Sequence, residues 1–140
     1  MTDPIYACLW FDGKAKEAAE YYCSVFKNSK IISENPLVVI FELNGRKFMG
    51  LNGGPMFKFT EAVSFVIDCN DQEEIDYYWN KLTEGGEESM CGWLKDKYGL
   101  SWQVVPKILG ELMGDPVKGQ RVMQAFLKMK KFDIQTLLNA

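Results

Sequence analysis

Laid on itself at an offset of 56 residues, the chain repeats. Asp12 falls on Asp68, Glu17 on Glu73 and Glu20 on Asp76, and Tyr21 and Tyr22 fall on Tyr77 and Tyr78. Phe26 meets Leu82 in the same register, and no gap is needed. A repeat of this length constrains the fold strongly, because each copy is too short to bury a sheet face alone. Both copies read as strand, helix and further strands. The expectation is two βαβββ modules that pair their sheets around a shared cavity, the natural place for a ligand.

The order of elements follows from periodicity and punctuation. Pro4 to Phe11 reads as a buried strand, closed by Asp12-Gly13. Ala15, Ala18, Ala19, Tyr22 and Phe26 recur at helical spacing. A weak strand is expected at Lys30 to Ser33 and a stronger one at Leu37 to Leu43. Asn44-Gly45 then gives a type I′ hairpin into Lys47 to Leu51, since both central residues of that turn need positive φ. The segment Asn52-Gly53-Gly54-Pro55 is a sharp turn, without the following helix that a phosphate cradle needs. Met56 to Thr60 reads as a loop, and Ala62 to Ile67 opens the second copy as a strand. Asp71 with Glu74 forms a capping box for a helix that places Ile75, Tyr78, Trp79 and Leu82 on one face. Gly85-Gly86 ends it. The acidic residues Glu17, Glu20, Glu73, Glu74 and Asp76 lie opposite the apolar stripes and read as solvated surface.

After the second copy the pattern turns helical. Ile108 to Met113 is expected as a short helix. Asp115-Pro116 starts another, whose stripe is Val122, Met123, Phe126 and Leu127, and Asp133 caps a last one through Leu138. The modules span about 1–56 and 61–107, and the added helices about 108–140, within a single domain of α+β class.

Composition removes several functions. The 140 residues contain no histidine, which excludes Ser-His and Cys-His dyads, two-His metal sites and a histidine base. A net charge of -3 and a pI of about 5.0 argue against nucleic-acid and anionic-membrane partners. No apolar run approaches membrane-spanning length and no signal segment shows, so a cytoplasmic protein is expected. The four cysteines, Cys8, Cys23, Cys69 and Cys91, form no Cys-x-x-Cys pair, and free thiols packed as small hydrophobes are the default.

The segment from Cys91 to Pro106 is the most distinctive local feature. It reads as two short strands around a turn at Asp96 to Gly99, with Trp93 on one strand and Trp102 on the other. Two indoles, a thiol, a hydroxyl and an amide on one hairpin form either a pocket wall or plain core.

Three stretches carry a resemblance. Leu9-Trp10-Phe11-Asp12-Gly13-Lys14-Ala15, running on to Tyr21-Tyr22, is similar to the start of PhnB-like proteins. The stretch Leu51 to Pro55 resembles a second motif of that branch, and Cys91-Gly92-Trp93-Leu94 with Gly99 to Gln103 a third. The branch belongs to the vicinal oxygen chelate superfamily, with glyoxalase I, bleomycin-resistance proteins and extradiol dioxygenases. The resemblance implies tandem βαβββ modules in an incompletely closed eight-stranded barrel, usually in a dimer. It also implies the label demethylubiquinone methyltransferase. A methyltransferase of the common type needs a Gly-rich turn after a strand of a parallel sheet, and no G-x-G-x-x-G pattern exists here.

In metal-using relatives, ligands sit on the first and last strands of each module. The matching positions here fall near Cys8, Met49 or Gly50, Ser64 and Gln103, a poor set for a hard divalent ion, and Asn52 adds only one more oxygen. No metal and no cofactor are expected. Asn52, Ser64 and Gln103 orient a ligand or satisfy a backbone group. Cys8 and Trp10 share one strand face and line the cavity, with Leu9 and Phe11 under the helix, unless the register shifts by one. Cys91 is either a second thiol in that cavity or a structural one. The expected ligand-binding set is therefore Cys8, Trp10, Asn52, Ser64, Cys91, Trp93, Trp102 and Gln103. The expected function is metal-independent binding of a small hydrophobic or aromatic molecule by a homodimer. The alternative is a metal-dependent lyase, isomerase or transferase acting on a small molecule.

Overall fold

The computed structural model describes residues 4–140. The fold is α+β, with two four-stranded sheets that are not closed into a barrel and helices at the C-terminal end. The chain divides into two compact units between Phe59 and Thr60.

The first unit contains β1 (Ala7–Phe11), α1 (Ala15–Val25), β2 (Lys30–Glu34), β3 (Val38–Leu43) and β4 (Arg46–Asn52). Its sheet runs in the order β1-β4-β3-β2, with β1 parallel to β4 and the other pairs antiparallel. The Asn44-Gly45 turn has φ of 52° and 80°, as its sequence predicts. Ala15, Ala18, Ala19 and Tyr22 are fully buried, and they pack with Leu9, Phe11, Val39 and Phe41 into the core. Small residues on α1 let the helix approach closely: a Cβ on Gly50 would lie 3.2 Å from that of Ala15.

The second unit repeats this plan with β5 (Ser64–Cys69), α2 (Gln72–Thr83), β6 (Glu87–Glu88), β7 (Trp93–Lys95) and β8 (Ser101–Pro106). The order β5-β8-β7-β6, with β5 parallel to β8, matches the first sheet strand for strand. Ile75, Trp79 and Leu82 of α2 are buried, while Tyr78 of the expected face is half-buried. The Asp71 side chain accepts from the Glu74 amide at 2.9 Å, and the Glu74 carboxylate accepts from the Asn70 amide at 2.6 Å. The reciprocal half of the capping box thus lands one residue earlier than in the usual form.

Three local expectations are corrected. β5 begins at Ser64 rather than Ala62, because residues 61 and 62 lie in a turn where the Thr60 hydroxyl accepts from the Ala62 amide. Cys91 and Gly92 are not strand: both are left-handed, with φ of 58° and 80°. The third correction concerns the C-terminal helices, α3 (Ile108–Met113), α4 (Lys118–Phe126) and α5 (Ile134–Leu138). Asp115 accepts from the Val117 and Lys118 amides and so closes the turn before α4, but the helix begins at Lys118 with Val117 as its N-cap, two residues later than expected. Of the α4 stripe only Val122 is fully buried, and Met123 and Leu127 are 39% and 54% exposed.

Candidate functional site

In the second unit, strand alternation separates the candidate residues by face. The register pairs Val66 with Gln103 and Gln103 with Trp93, while Ser64 pairs with Ser101 and Ser101 with Lys95. These six side chains therefore share the sheet face turned away from α2. Phe65, Leu94, Trp102 and Val104 occupy the helix-covered face. Trp93 and Trp102 thus stand on opposite faces and cannot form one wall. Trp102 is 4% exposed, and its indole Nε1 donates to Asp96 Oδ2 at 2.8 Å. Asp96 is itself buried, and its other oxygen accepts from the Tyr98 and Leu100 amides. That carboxylate therefore both builds the turn and anchors a core tryptophan, a structural role that residue types alone do not reveal.

On the open face Gln103 Nε2 donates to Ser64 Oγ at 3.0 Å. Among the described residues the Gln103 carbonyl oxygen has no further protein partner, and half-buried Trp93 stands beside it in register. The amide carbonyl is an acceptor beside an aromatic surface, an arrangement suited to orienting a small molecule with a donor group. Ser101 is fully buried, and among the described residues its hydroxyl has no partner. A cavity of about 210 Å³ lies along this side of the unit, with Glu61, Glu87, Trp93, Lys95 and Ser101 in its lining. The exposed Lys95–Glu61 ion pair there raises the Lys95 pKa and lowers that of Glu61.

In the first unit Cys8 and Trp10 share the face opposite α1 with Met49 and Leu51, as β1 alternation predicts. Cys8 is exposed, yet partial desolvation of its sulfur raises the thiol pKa and favours the unreactive protonated form. Trp10 is half-buried, donates from Nε1 to the Gly54 carbonyl at 2.8 Å, and meets Phe57 edge-on at 4.8 Å. Asn52 lies on the other face. Its Oδ1 accepts from the Ala15 amide at 2.9 Å and its Nδ2 donates to the Pro36 carbonyl at 3.0 Å. The side chain closes the first turn of α1, whose own N-cap Lys14 supplies no bond, and satisfying a backbone group is the reading its contacts support.

The structure therefore gathers Ser64, Trp93 and Gln103 on one face and Cys8 with Trp10 on another, and leaves Asn52 and Trp102 in supporting positions. Cys91 is half-buried in the left-handed segment before β7, where its amide donates to the Met129 carbonyl. Ser101 is not among the expected residues, though the pairing singles it out. Cys8 pairs with Met49 and Ser64 with Ser101, so Ser101 rather than Gln103 is the counterpart of Met49 under the repeat. Only strand register carries that signal.

With this register the donors equivalent to a superfamily metal site are a thiol, a thioether and two hydroxyls. Gln103 adds one amide whose nitrogen already donates to Ser64. Hard divalent ions take carboxylate, carbonyl or imidazole ligands, so these side chains do not fit such a site. Among the described residues no group of three His, Cys, Asp or Glu side chains converges as a metal site.

Two mixed four-stranded sheets, each crossed by one helix and built on one repeated βαβββ plan, define the vicinal oxygen chelate class. Solved structures of that class match the chain. The fosfomycin resistance protein FosX from Listeria monocytogenes, complexed with Mn(II) and sulfate, has 14% identity and a TM-score of 0.59 over 81% of this chain and 96% of its own. A glyoxalase-related enzyme from Fulvimarina pelagi gives 12% identity and a TM-score of 0.53 over 76% of this chain and 91% of its own. At such identities the likeness is one of fold alone. Within the class, residues 3–105 match the model of the 3-demethylubiquinone-9 3-methyltransferase family, and the chain belongs to that family. The PhnB protein from Bacillus cereus is 35% identical, with a TM-score of 0.68 over 74% of this chain and 99% of its own. No curated protein gives a significant match.

Proposed function

We propose that the protein binds a small hydrophobic or aromatic molecule without a metal ion, its two modules acting as one ligand-binding domain in a cytoplasmic homodimer. The observation that carries this reading is the Ser64–Gln103 pair, which presents an acceptor carbonyl beside Trp93 on a face with no metal-ligand chemistry. Cys8, Trp10, Met49 and Leu51 add an apolar surface on the first sheet. The family label speaks of methyl transfer. Each sheet here contains a single parallel pair, and no Gly-rich turn joins a strand to α1 or α2, so the usual S-adenosylmethionine cradle has no counterpart among the described residues. No helix among them is long and apolar enough to cross a membrane, in keeping with the proposed compartment.

Native mass spectrometry with elemental analysis of the same sample tests the metal and the assembly. Titration with 8-anilinonaphthalene-1-sulfonate, an aromatic probe, tests the site. A metal-free dimer whose tryptophan emission is quenched saturably by the probe, with the effect lost in Trp93→Ala and weakened in Gln103→Ala, supports the reading. About one equivalent of zinc, iron, manganese or nickel per chain would overturn it and favour a metal-dependent enzyme. Probe binding that is indifferent to both substitutions would also sink it.

A further inference from the structure

The family match ends at residue 105, and the chain beyond it returns to the second module through residues 129–134. The Cys91 amide donates to the Met129 carbonyl and the Gly92 amide to the Lys130 carbonyl, each at 2.8 Å. Both residues are left-handed, a conformation that Cys91 adopts only at a cost, and these two bonds hold it there. The Phe132 ring, 2% exposed, lies where a Cβ on Gly92 would stand, 2.5 Å from its nearest ring carbon. Gln72, the first residue of α2, grips the same segment twice. Its Nε2 donates to the Phe132 carbonyl at 2.9 Å and its Oε1 accepts from the Ile134 amide at 2.8 Å. Lys131 adds an ion pair to Asp76 of α2 at 2.8 Å. On the other side the Gly92 carbonyl accepts from the Val104 amide, next to Gln103. A continuous set of bonds thus runs from α2 through residues 129–134 to the backbone just before Trp93.

We infer that the C-terminal extension is a clasp that sets the backbone of Cys91 and Gly92 and thereby the placement of Trp93, with Gln72 and Phe132 as its positioning residues. The inference rests on the preceding reading only in taking Trp93 as part of the binding face. Free of the clasp, the Cys91–Gly92 pair loses both amide partners, and the start of β7 is held only by the Gly92 carbonyl's bond from Val104 and by its ladder to β8.

The test uses the full-length chain with Gln72→Ala, Phe132→Ala and the conservative Phe132→Leu. Asp133→Ala, which removes the cap of α5 but none of the clasp bonds, serves as a control for general destabilisation. Amide hydrogen exchange at Cys91 and Gly92 is read together with the Trp93 indole N–H resonance. Exchange at those two amides should quicken by about tenfold in Gln72→Ala and Phe132→Ala, relative to the β8 amides. The Trp93 resonance should move with it, Phe132→Leu should recover part of both effects, and Asp133→Ala should show neither. Should Phe132→Ala fail to fold, Gln72→Ala at the half-buried first residue of α2 decides the matter. Unchanged or uniformly quickened exchange would overturn the clasp, as would a Trp93 resonance that stays put. Wild-type protein that ignores the aromatic probe would defeat the binding reading, while these exchange measurements would still uphold or refute the clasp.

Discussion

The two modules share a topology and differ in how each is held together and what its open sheet face offers. The first closes the start of its helix with a side chain borrowed from β4, Asn52, and presents Cys8, Trp10, Met49 and Leu51 away from the helix. The second caps its helix locally with Asp71, presents Ser64, Ser101, Gln103 and Trp93, and has the turn before β7 bonded by residues 129 and 130. Each also has a glycine beneath an aromatic ring, Gly53 under Trp10 and Gly92 under Phe132. The lesson is that a duplicated backbone plan fixes which positions face outward, and leaves their chemistry free to diverge. Here one face has become apolar and the other polar.

The glycine pair gives the largest contrast. A Cβ at Gly92 meets the Phe132 ring at 2.5 Å and the Val104 carbonyl at 2.7 Å, and the residue has a φ of 80°. Neither a buried ring nor a strand carbonyl yields easily, so Gly92→Ala should cost about 3 kcal/mol or more. At Gly53 the obstacle is the half-exposed Trp10 indole, which can swing aside at the loss of its bond to Gly54. Gly53→Ala should cost about 1 kcal/mol. Urea unfolding of both variants checks the ranking, and equal losses would mean that the two glycines do the same work. Next in size is Asp96→Ala, which strands the Trp102 indole N–H and two backbone amides in the core of the second module. A loss of about 2–3 kcal/mol is expected, and a near-neutral result would remove Asp96 as its anchor.

How much of this was legible beforehand depends on the range of the interaction. The helices, the Asn44-Gly45 turn and the Asp71 cap are set by residues within a few positions of each other, and they read directly, as does the repeat, which needs only the chain compared with itself. The α+β class and family resemblance followed from the same local motifs. Strand register was not local. It alone shows that Trp93 and Trp102 oppose each other and that Ser101 is the counterpart of Met49. The role of Asn52 was hidden for a similar reason, since its partners Ala15 and Pro36 lie 37 and 16 residues away. The stripe of α4 misled because apolar spacing predicts a face, not a partner to cover it, and Met123 and Leu127 remain exposed.

The caps sharpen the comparison at a smaller scale. Asp71→Ala removes one local bond and should cost about 1 kcal/mol, the ordinary worth of an N-cap. Asn52→Ala removes the same service to α1 together with the bond to the Pro36 carbonyl, which ties the loop before β3. It should therefore cost somewhat more, about 1.5 kcal/mol. Thermal unfolding of the pair decides the point. If Asn52→Ala were the milder change, the distant cap would be dispensable and α1 would be held by its buried face of alanines, Tyr22 and Val25.

The smallest effect tests the bond between the C-terminal segment and α2. Lys131 and Gln72 both donate to Asp76, and the lysine foremost holds its carboxyl below the ordinary range. A depressed carboxylate pKa stabilises the folded state above the unfolded value, and the gain disappears as pH falls through the folded value. Wild type should therefore keep its advantage over Asp76→Asn unchanged near neutral pH and lose it as pH falls below the ordinary aspartate range of about 4. The pair is exposed, with side chains 37% and 44% accessible, so screening limits the advantage to about 0.5 kcal/mol. Salt should weaken it as well, most of all near 1 M, where the screening length falls to about 3 Å and becomes comparable to the 2.8 Å contact. A larger effect that resists salt would mean that Asp76 is held in a drier contact than its exposure indicates. The second module would then owe more of its stability to residues 129–134 than the first owes to any segment outside its repeat.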